Sequence, residues 1–201
     1  MRTKPSEAET IELAESSIHD GITLGSRGLC NDAIEALDKA VAVCQNFKGH
    51  SDAVTMLMAA ALGNKGAALG DLDRLAEAVE CYDAAIEIYR QLVKRDRSAG
   101  LVGDYAVSTM NKGWALINLG REEEGFRCHE KALELRRQLA ARADTLQMLG
   151  RLREALCASD EAIPMFLKLA QSTENPKLAS ALDSALNGRK TILRKLKRRT
   201  G

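Results

Sequence analysis

Apolar and small residues return along this chain at helical spacing, and a longer frame returns above that spacing. The frame is Leu, an Ala nine residues later and a second Ala seven residues after that. Its copies are Leu24-Ala33-Ala40, Leu69-Ala78-Ala85, Leu116-Gly125-Ala132 and Leu146-Ala155-Ala162. A turn signal stands inside each copy. Gly28, Gly120 and Gly150 lie five residues before the first Ala or Gly, and Asp73 takes that place in the second copy, after Gly70 and Asp71. Glycine reaches left-handed backbone at little cost, so it ends one helix and lets the chain reverse. The spacing predicts second helices over 31–47, 74–94, 122–140 and 151–171. In one of them Ala78, Tyr82, Ala85, Ile86 and Tyr89 form an apolar stripe.

The first helices are predicted over 7–24, 51–69 and 99–119. Each carries a glycine at matched depth, Gly21, Gly66 and Gly113. Small residues here, facing Ala33, Ala78 and Ala85 on the second helices, are expected to let two helix backbones approach closely. Repeated helix pairs of this kind stack into an all-α solenoid with a long open surface and few enclosed cavities. Such a chain is suited to binding more than to chemistry.

These residues resemble the tetratricopeptide (TPR) repeat. Its pattern is a bulky residue, Gly, an apolar residue, a turn Gly, Ala, an aromatic or large apolar residue, and Ala. The second copy matches as Leu62, Gly66, Leu69, Ala78, Tyr82, Ala85. The first matches as Gly21, Leu24, Gly28, Ala33, Leu37, Ala40. The third matches as Gly113, Leu116, Gly120 and Ala132, with Gly125 and His129 departing. The step is 45 residues from Gly21 to Gly66 and 47 from Gly66 to Gly113, longer than the usual 34 or so. That is similar to the long-helix TPRs of kinesin light chains and bacterial multirepeat proteins. The resemblance implies one right-handed superhelical solenoid of antiparallel helix pairs, with repeats at about 7–47, 51–94, 99–140 and 142–171.

The fourth copy breaks the period. Ala132 to Ala162 is 30 residues, which is 15 to 17 fewer than the earlier steps, or roughly 24 Å of helix. The short segment 142–149 is what remains of a first helix there. A notch is therefore expected, which docks a partner helix or a second copy, or is closed by the chain's own tail. After Asn175-Pro176 a last helix, at about 176–198, is expected to cap the array, since Leu178, Ala181, Leu182, Ala185 and Leu186 make one apolar face.

Composition agrees with packed helices: aromatics are 3% of the chain and there are three Pro. Charged residues are 28%, yet the net charge is +1. No run of 18 apolar residues is present, so no membrane partner is expected. The N-terminus is polar, without the apolar run of a signal peptide, and the cytoplasm is the expected compartment. The five cysteines, Cys30, Cys44, Cys81, Cys128 and Cys157, are an odd number, and no two are closer than 14 residues. They form neither a disulfide framework nor a zinc site, and read as small buried apolar groups. His19, His50 and His129 are isolated, and no phosphate-binding, dinucleotide or nucleophile-elbow motif occurs. No catalytic residue, metal or cofactor is expected. The run Glu122-Glu123-Glu124 opens a helix, where negative charge suits the dipole.

The TPR resemblance implies that the first helices line a concave groove. Its positions are three and two residues before the matched glycine, and one, four and five after. They are Ile18, His19, Ile22, Gly25 and Ser26; Gly63, Asn64, Ala67, Gly70 and Asp71; Met110, Asn111, Trp114, Ile117 and Asn118. Among these, His19, Ile22, Asn64, Ala67, Asp71, Met110, Asn111, Trp114 and Asn118 are the candidate partner-binding residues. A carboxamide both donates and accepts, so Asn64 and Asn111 suit a peptide backbone or, equally, a neighbouring helix. Trp114 is either packing between repeats or an apolar anchor. Some TPR proteins clamp a carboxylate with Lys and Arg one turn before such Asn residues. Here those places hold Ala60 and Val107, while Lys65 and Lys112 point about 100° away. Chaperone C-terminal peptides are therefore disfavoured.

The tail carries Arg189, Lys190, Arg194, Lys195, Lys197, Arg198 and Arg199. These offset the helix dipole or contact an acidic protein or nucleic acid. No aromatic platform accompanies them, and nucleic acid ranks last among partners. The leading reading is a non-enzymatic adaptor or scaffold that binds a peptide or helix of a protein partner in its groove. The alternative is a regulatory subunit or a self-assembling homo-oligomer using the notch. One consequence is direct: Ala85→Leu is expected to cost about 1–3 kcal/mol by overpacking, read as a lowered melting midpoint, and an unchanged midpoint would take Ala85 out of the helix contact.

Overall fold

The structure, a computed structural model, describes residues 5–96, 98–148, 156–164, 167 and 176–200. Among these there are helices and turns and no strand. The helices are α1 (Glu7–Ser26), α2 (Cys30–Asn46), α3 (Asp52–Asp71), α4 (Leu75–Arg95), α5 (Ala99–Asn118) and α6 (Glu122–Met148). A stretch at 156–164, here α7, and α8 (Pro176–Thr200) follow. The first five helix ends fall within two residues of the sequence expectation. Two compact units result, one of residues 1–96 and 108–129, the other of 97–107 and 130–201.

In the first unit α1 packs on α2 and α3, and α3 on α2 and α4. The turns between partners repeat atom for atom. Leu29 N–H bonds the Leu24 carbonyl (3.0 Å) and Gly28 N–H the Gly25 carbonyl (2.9 Å). The same two bonds join Arg74 to Leu69 and Asp73 to Gly70, then Arg121 to Leu116 and Gly120 to Ile117. This is the Schellman arrangement, with the middle residue left-handed: φ is 78° at Gly28, 58° at Asp73 and 76° at Gly120. The frame leucine therefore serves twice. Its carbonyl receives the turn, and its side chain enters the core, Leu69 at 1% and Leu116 at 0% exposure. Leu24 is only partly buried.

The matched glycines admit large side chains as well as backbones. A Cβ on Gly21 would lie 2.6 Å from Leu37 Cγ, and one on Gly66 2.8 Å from the Tyr82 ring. The alanines of the second helix are thus not what meets Gly21 and Gly66; the bulky residue four positions after the first Ala is. The third repeat differs. A Cβ on Gly113 would meet His129 at 2.6 Å and the Gly125 carbonyl at 2.9 Å, and one on Gly125 would meet the Gly113 carbonyl at 2.7 Å. There the backbones themselves touch, and Gly125 in place of Ala is what permits it.

Salt bridges tie each second helix to the next first helix. Asp38 on α2 accepts from Lys65 on α3, and Asp83 on α4 from Lys112 on α5, both at 2.5 Å. Partly exposed pairs of this kind contribute about 0–1 kcal/mol. Each fully buried leucine contributes about 1.5–3 kcal/mol. Burial holds the stack, and the pairs favour one register.

The helix starts are capped. Ser6 and Glu9 form a reciprocal capping box on α1, and Ser51 Oγ accepts from Val54 N–H on α3 at 3.2 Å. Arg74 and Arg121 open α4 and α6, each forked onto the Glu three residues later at 2.6–2.7 Å.

The second unit holds buried Leu101, Val102 and Tyr105 of α5, Leu135 and Leu139 of α6, Ala158 and Ala162 of α7, and Ala185 and Ile192 of α8. Arg136 is fully buried; burial lowers its pKa to about 10, which leaves it charged at neutral pH. The sequence reading stops the third second helix at residue 140 and begins a separate short helix at 142. Instead α6 runs unbroken to Met148. Residues 141–148 hold neither Gly nor Pro, so nothing there breaks the helix. The helix end expected at 140 is corrected accordingly, while Gly150 and Ala155 of the fourth frame lie outside the described residues.

Asp73 is the single non-glycine residue with positive φ among those described. Asp73→Gly is expected to gain about 0.5–1 kcal/mol by relieving that conformation. A calorimetric scan showing an equal or lower midpoint would mean the Asp side chain compensates within the turn.

Candidate partner-binding face

The residues proposed from the sequence as groove-lining lie on α1, α3 and the 108–118 part of α5. Contacts place α3 beside both neighbours: it packs on α1, a Cβ on Gly63 would lie 3.3 Å from Ser108 Oγ, and one on Gly70 3.7 Å from the Trp114 ring. One matched position puts Ile22, Ala67 and Trp114 in a row. Ile22 is 49% exposed and Trp114 52%, with Ala67 half-buried between them. Trp114 had two readings from sequence. The structure exposes it, its indole lying over the bare backbone of Gly70.

Other positions behave differently. Met110 is 8% exposed and Ile18 8%; both belong to the core, Ile18 against Leu37, Ala40 and Ala61. The candidate Met110 is thus a core residue, because three residues before the glycine is, in these long helices, an inward position. His19, Asp71 and Asn118 are exposed, and Asn64 and Asn111 are half-buried. The carboxamides are largely committed to the fold. Asn64 Nδ2 donates to the Ala60 carbonyl and Asn118 Nδ2 to the Trp114 carbonyl, each at 2.8 Å and each four residues back. Burial pushes the Tyr82 phenol well above its ordinary pKa and the Asp71 carboxylate adds to the rise, while Asn111 opposes it.

Lys65 and Lys112 turn to Asp38 and Asp83, as described, and away from this row. Cys81 and Cys128 sit beside those salt bridges. Burial raises both thiols, and the neighbouring lysines only partly oppose it. They remain protonated near neutral pH, as small apolar groups. Cys157 is exposed and its thiol is raised by its hydrogen bond to Glu161.

The outer side of α1 is polar. The α3 positions that pack toward the preceding pair include Val54, Leu57, Ala61 and Ala68. One 45-residue step earlier stand Glu9, Glu12, Ser16 and Thr23. A shallow depression there, lined by Pro5, Glu9, Glu12, Leu13 and Ser16, offers no converging chemistry. In the tail, Arg189 is held by Asp160 at 2.5 Å, while Lys190, Arg194 and Lys195 are exposed. Lys197, Arg198 and Arg199 continue α8, and their side chains lie outside the described residues.

The sequence matches the tetratricopeptide repeat family over residues 58–97 and 106–144. Those two stretches carry TPR repeats. The two matched spans fall on the α3–α4 and α5–α6 pairs, so the TPR unit is the helix pair built above. The fold is similar to that of BtubC (BKLC) from P. vanneervenii, with a TM-score of 0.52 and 14% identity over 96% of this chain and 84% of that one. It is similar also to a kinesin-light-chain-type protein of Podosopora anserina with nearly identical TPR-like repeats. There the TM-score is 0.51 and the identity 18%, over 94% of this chain and 98% of that one. At these identities the likeness is one of fold. No curated protein matches the chain. Among the described residues no helix is long and apolar enough to cross a membrane.

Sequence reasoning missed the recurring salt bridge. Its signal was present: an Asp five residues after the first Ala, and a Lys just before the next matched glycine. It also passed over Phe126, 56% exposed. Trp114, the single Trp, is expected to emit near the solvent-exposed wavelength and to be quenched readily by acrylamide. A blue-shifted, protected emission in the free chain would show that the indole is covered.

Proposed function

We propose that this TPR chain is a protein–protein adaptor that holds a peptide or helical segment of its partner across α1, α3 and α5. The observation that carries this is the row Ile22–Ala67–Trp114. Two large exposed apolar side chains stand at matched positions on successive first helices, with small residues between and beside them. TPR repeats in general mediate interactions between proteins, which supports the reading.

Large aromatic anchors dominate interface energies, and Trp114 is the one large aromatic on this row. The lysines next to Asn64 and Asn111 are engaged in the stack, so the face offers no paired cations for a terminal carboxylate. The fitting ligand is a segment with two apolar side chains, one for Trp114 and one for Ile22, over a backbone that approaches Gly25, Ala67 and Gly70. The chain works by holding its partner and does no chemistry on it.

Selection of displayed peptides on the full chain tests this. Ligands so obtained are expected to lose affinity by at least about 30-fold on Trp114→Ala, which is about 2 kcal/mol. Ile22→Ala is expected to weaken them by roughly tenfold, and Asn64→Ala far less, because its amide serves α3. Ligands that bind Trp114→Ala as tightly as the wild type would place the site elsewhere.

A further inference from the structure

The third repeat ends differently from the first two. Ile34 and Val79 each follow the frame's first Ala, are 9% and 7% exposed, and lie in a core with Leu69, Ala115 and Leu116 of the next first helices. Phe126 holds the same place after Gly125 and is 56% exposed. Cys30 and Leu75, both 7% exposed, correspond to the exposed Glu122. Leu72, packed on the core, corresponds to Leu119, which is 39% exposed. Among the described residues the start of α6 therefore exposes the positions that a following helix covers in both earlier repeats.

The covering helices share one chemistry. Each presents leucine and alanine together with one lysine, Lys65 for α2 and Lys112 for α4, placed on an aspartate of the helix below. The open face calls for the same. Phe126 lies between Glu122 and Glu123 on the preceding turn, both exposed. Of the nearby cations, Arg121 is forked onto Glu124, and Arg127 sits about 100° further round the helix.

We propose that the face around Phe126 docks the outer stripe of α8 from a second copy of this chain. The inner side of α8 buries Ala185 and Ile192, and Arg189 is held by Asp160. The outer side carries Leu186, 41% exposed, then Lys190 and Arg194 at successive turns, both exposed. One apolar side chain followed by two cations complements one aromatic between two carboxylates. The contact is heterologous: each copy offers its Phe126 face to one neighbour and its α8 to another. It uses neither Ile22 nor Trp114, so it is independent of the adaptor face.

Sedimentation velocity on the full chain over a range of concentrations tests the proposal. The wild type is expected to associate beyond its 21.8 kDa monomer, with a dissociation constant raised at least about tenfold by high salt. Phe126→Ser alone, and Lys190→Glu with Arg194→Glu, are each expected to stay monomeric with unchanged circular dichroism. Mixed in equal amounts they are expected to form a two-chain species and nothing larger, because one retains α8 and the other retains the Phe126 face. A wild type that is monomeric at every concentration would overturn the proposal, as would a Phe126→Ser variant that associates normally or a mixture that stays monomeric.

Discussion

Everything in the first unit depends on a steric fit between a glycine on the first helix of each pair and a large side chain on the second. Leu37 occupies the space a side chain at Gly21 would need, and the Tyr82 ring does the same at Gly66. The helices can cross only at that depth. Once the depth is set, the frame leucine falls at the turn, where its carbonyl closes the Schellman bonds and its side chain is buried. Interiors are close-packed, so displacing either member by a methyl group is felt by both helices. The third pair meets the same constraint another way: His129 is held against Gly113, and Gly125 brings the backbones into contact.

This fit also decides what faces outward. With the glycine turned toward its partner helix, the next residue stands about 100° round the helix, clear of that contact. That puts Ile22, Ala67 and Trp114 in a row and sends Lys65 and Lys112 back to the helix beneath. Asn64 and Asn118 each donate to a carbonyl of their own helix. The row itself presents exposed apolar side chains beside bare backbone. In stacked repeats each pair contacts only its neighbours, so a face left without a following helix shows its own side chains. The outer side of α1 is polar, with Glu9, Glu12 and Ser16, whereas Phe126 at the start of α6 is exposed.

The sequence by itself determined the repeat, the turns and the ends of α1 to α5, because these rest on local chemistry. Glycine or Asp at positive φ, alanine at helix contacts and leucine at each turn are properties of a few consecutive residues, and they recur in register. Only the tertiary structure decided which residue meets each glycine, that Met110 is buried while Trp114 is not, and that Asp38 and Asp83 take the lysines. Those outcomes depend on the rotation of one helix against the next, and half a turn of rotation exchanges inside for outside. It decided also that α6 passes through residue 140 without a break. There the sequence lacks a breaker, and the expected boundary came from the arithmetic of the period, which carries no physical force on the backbone.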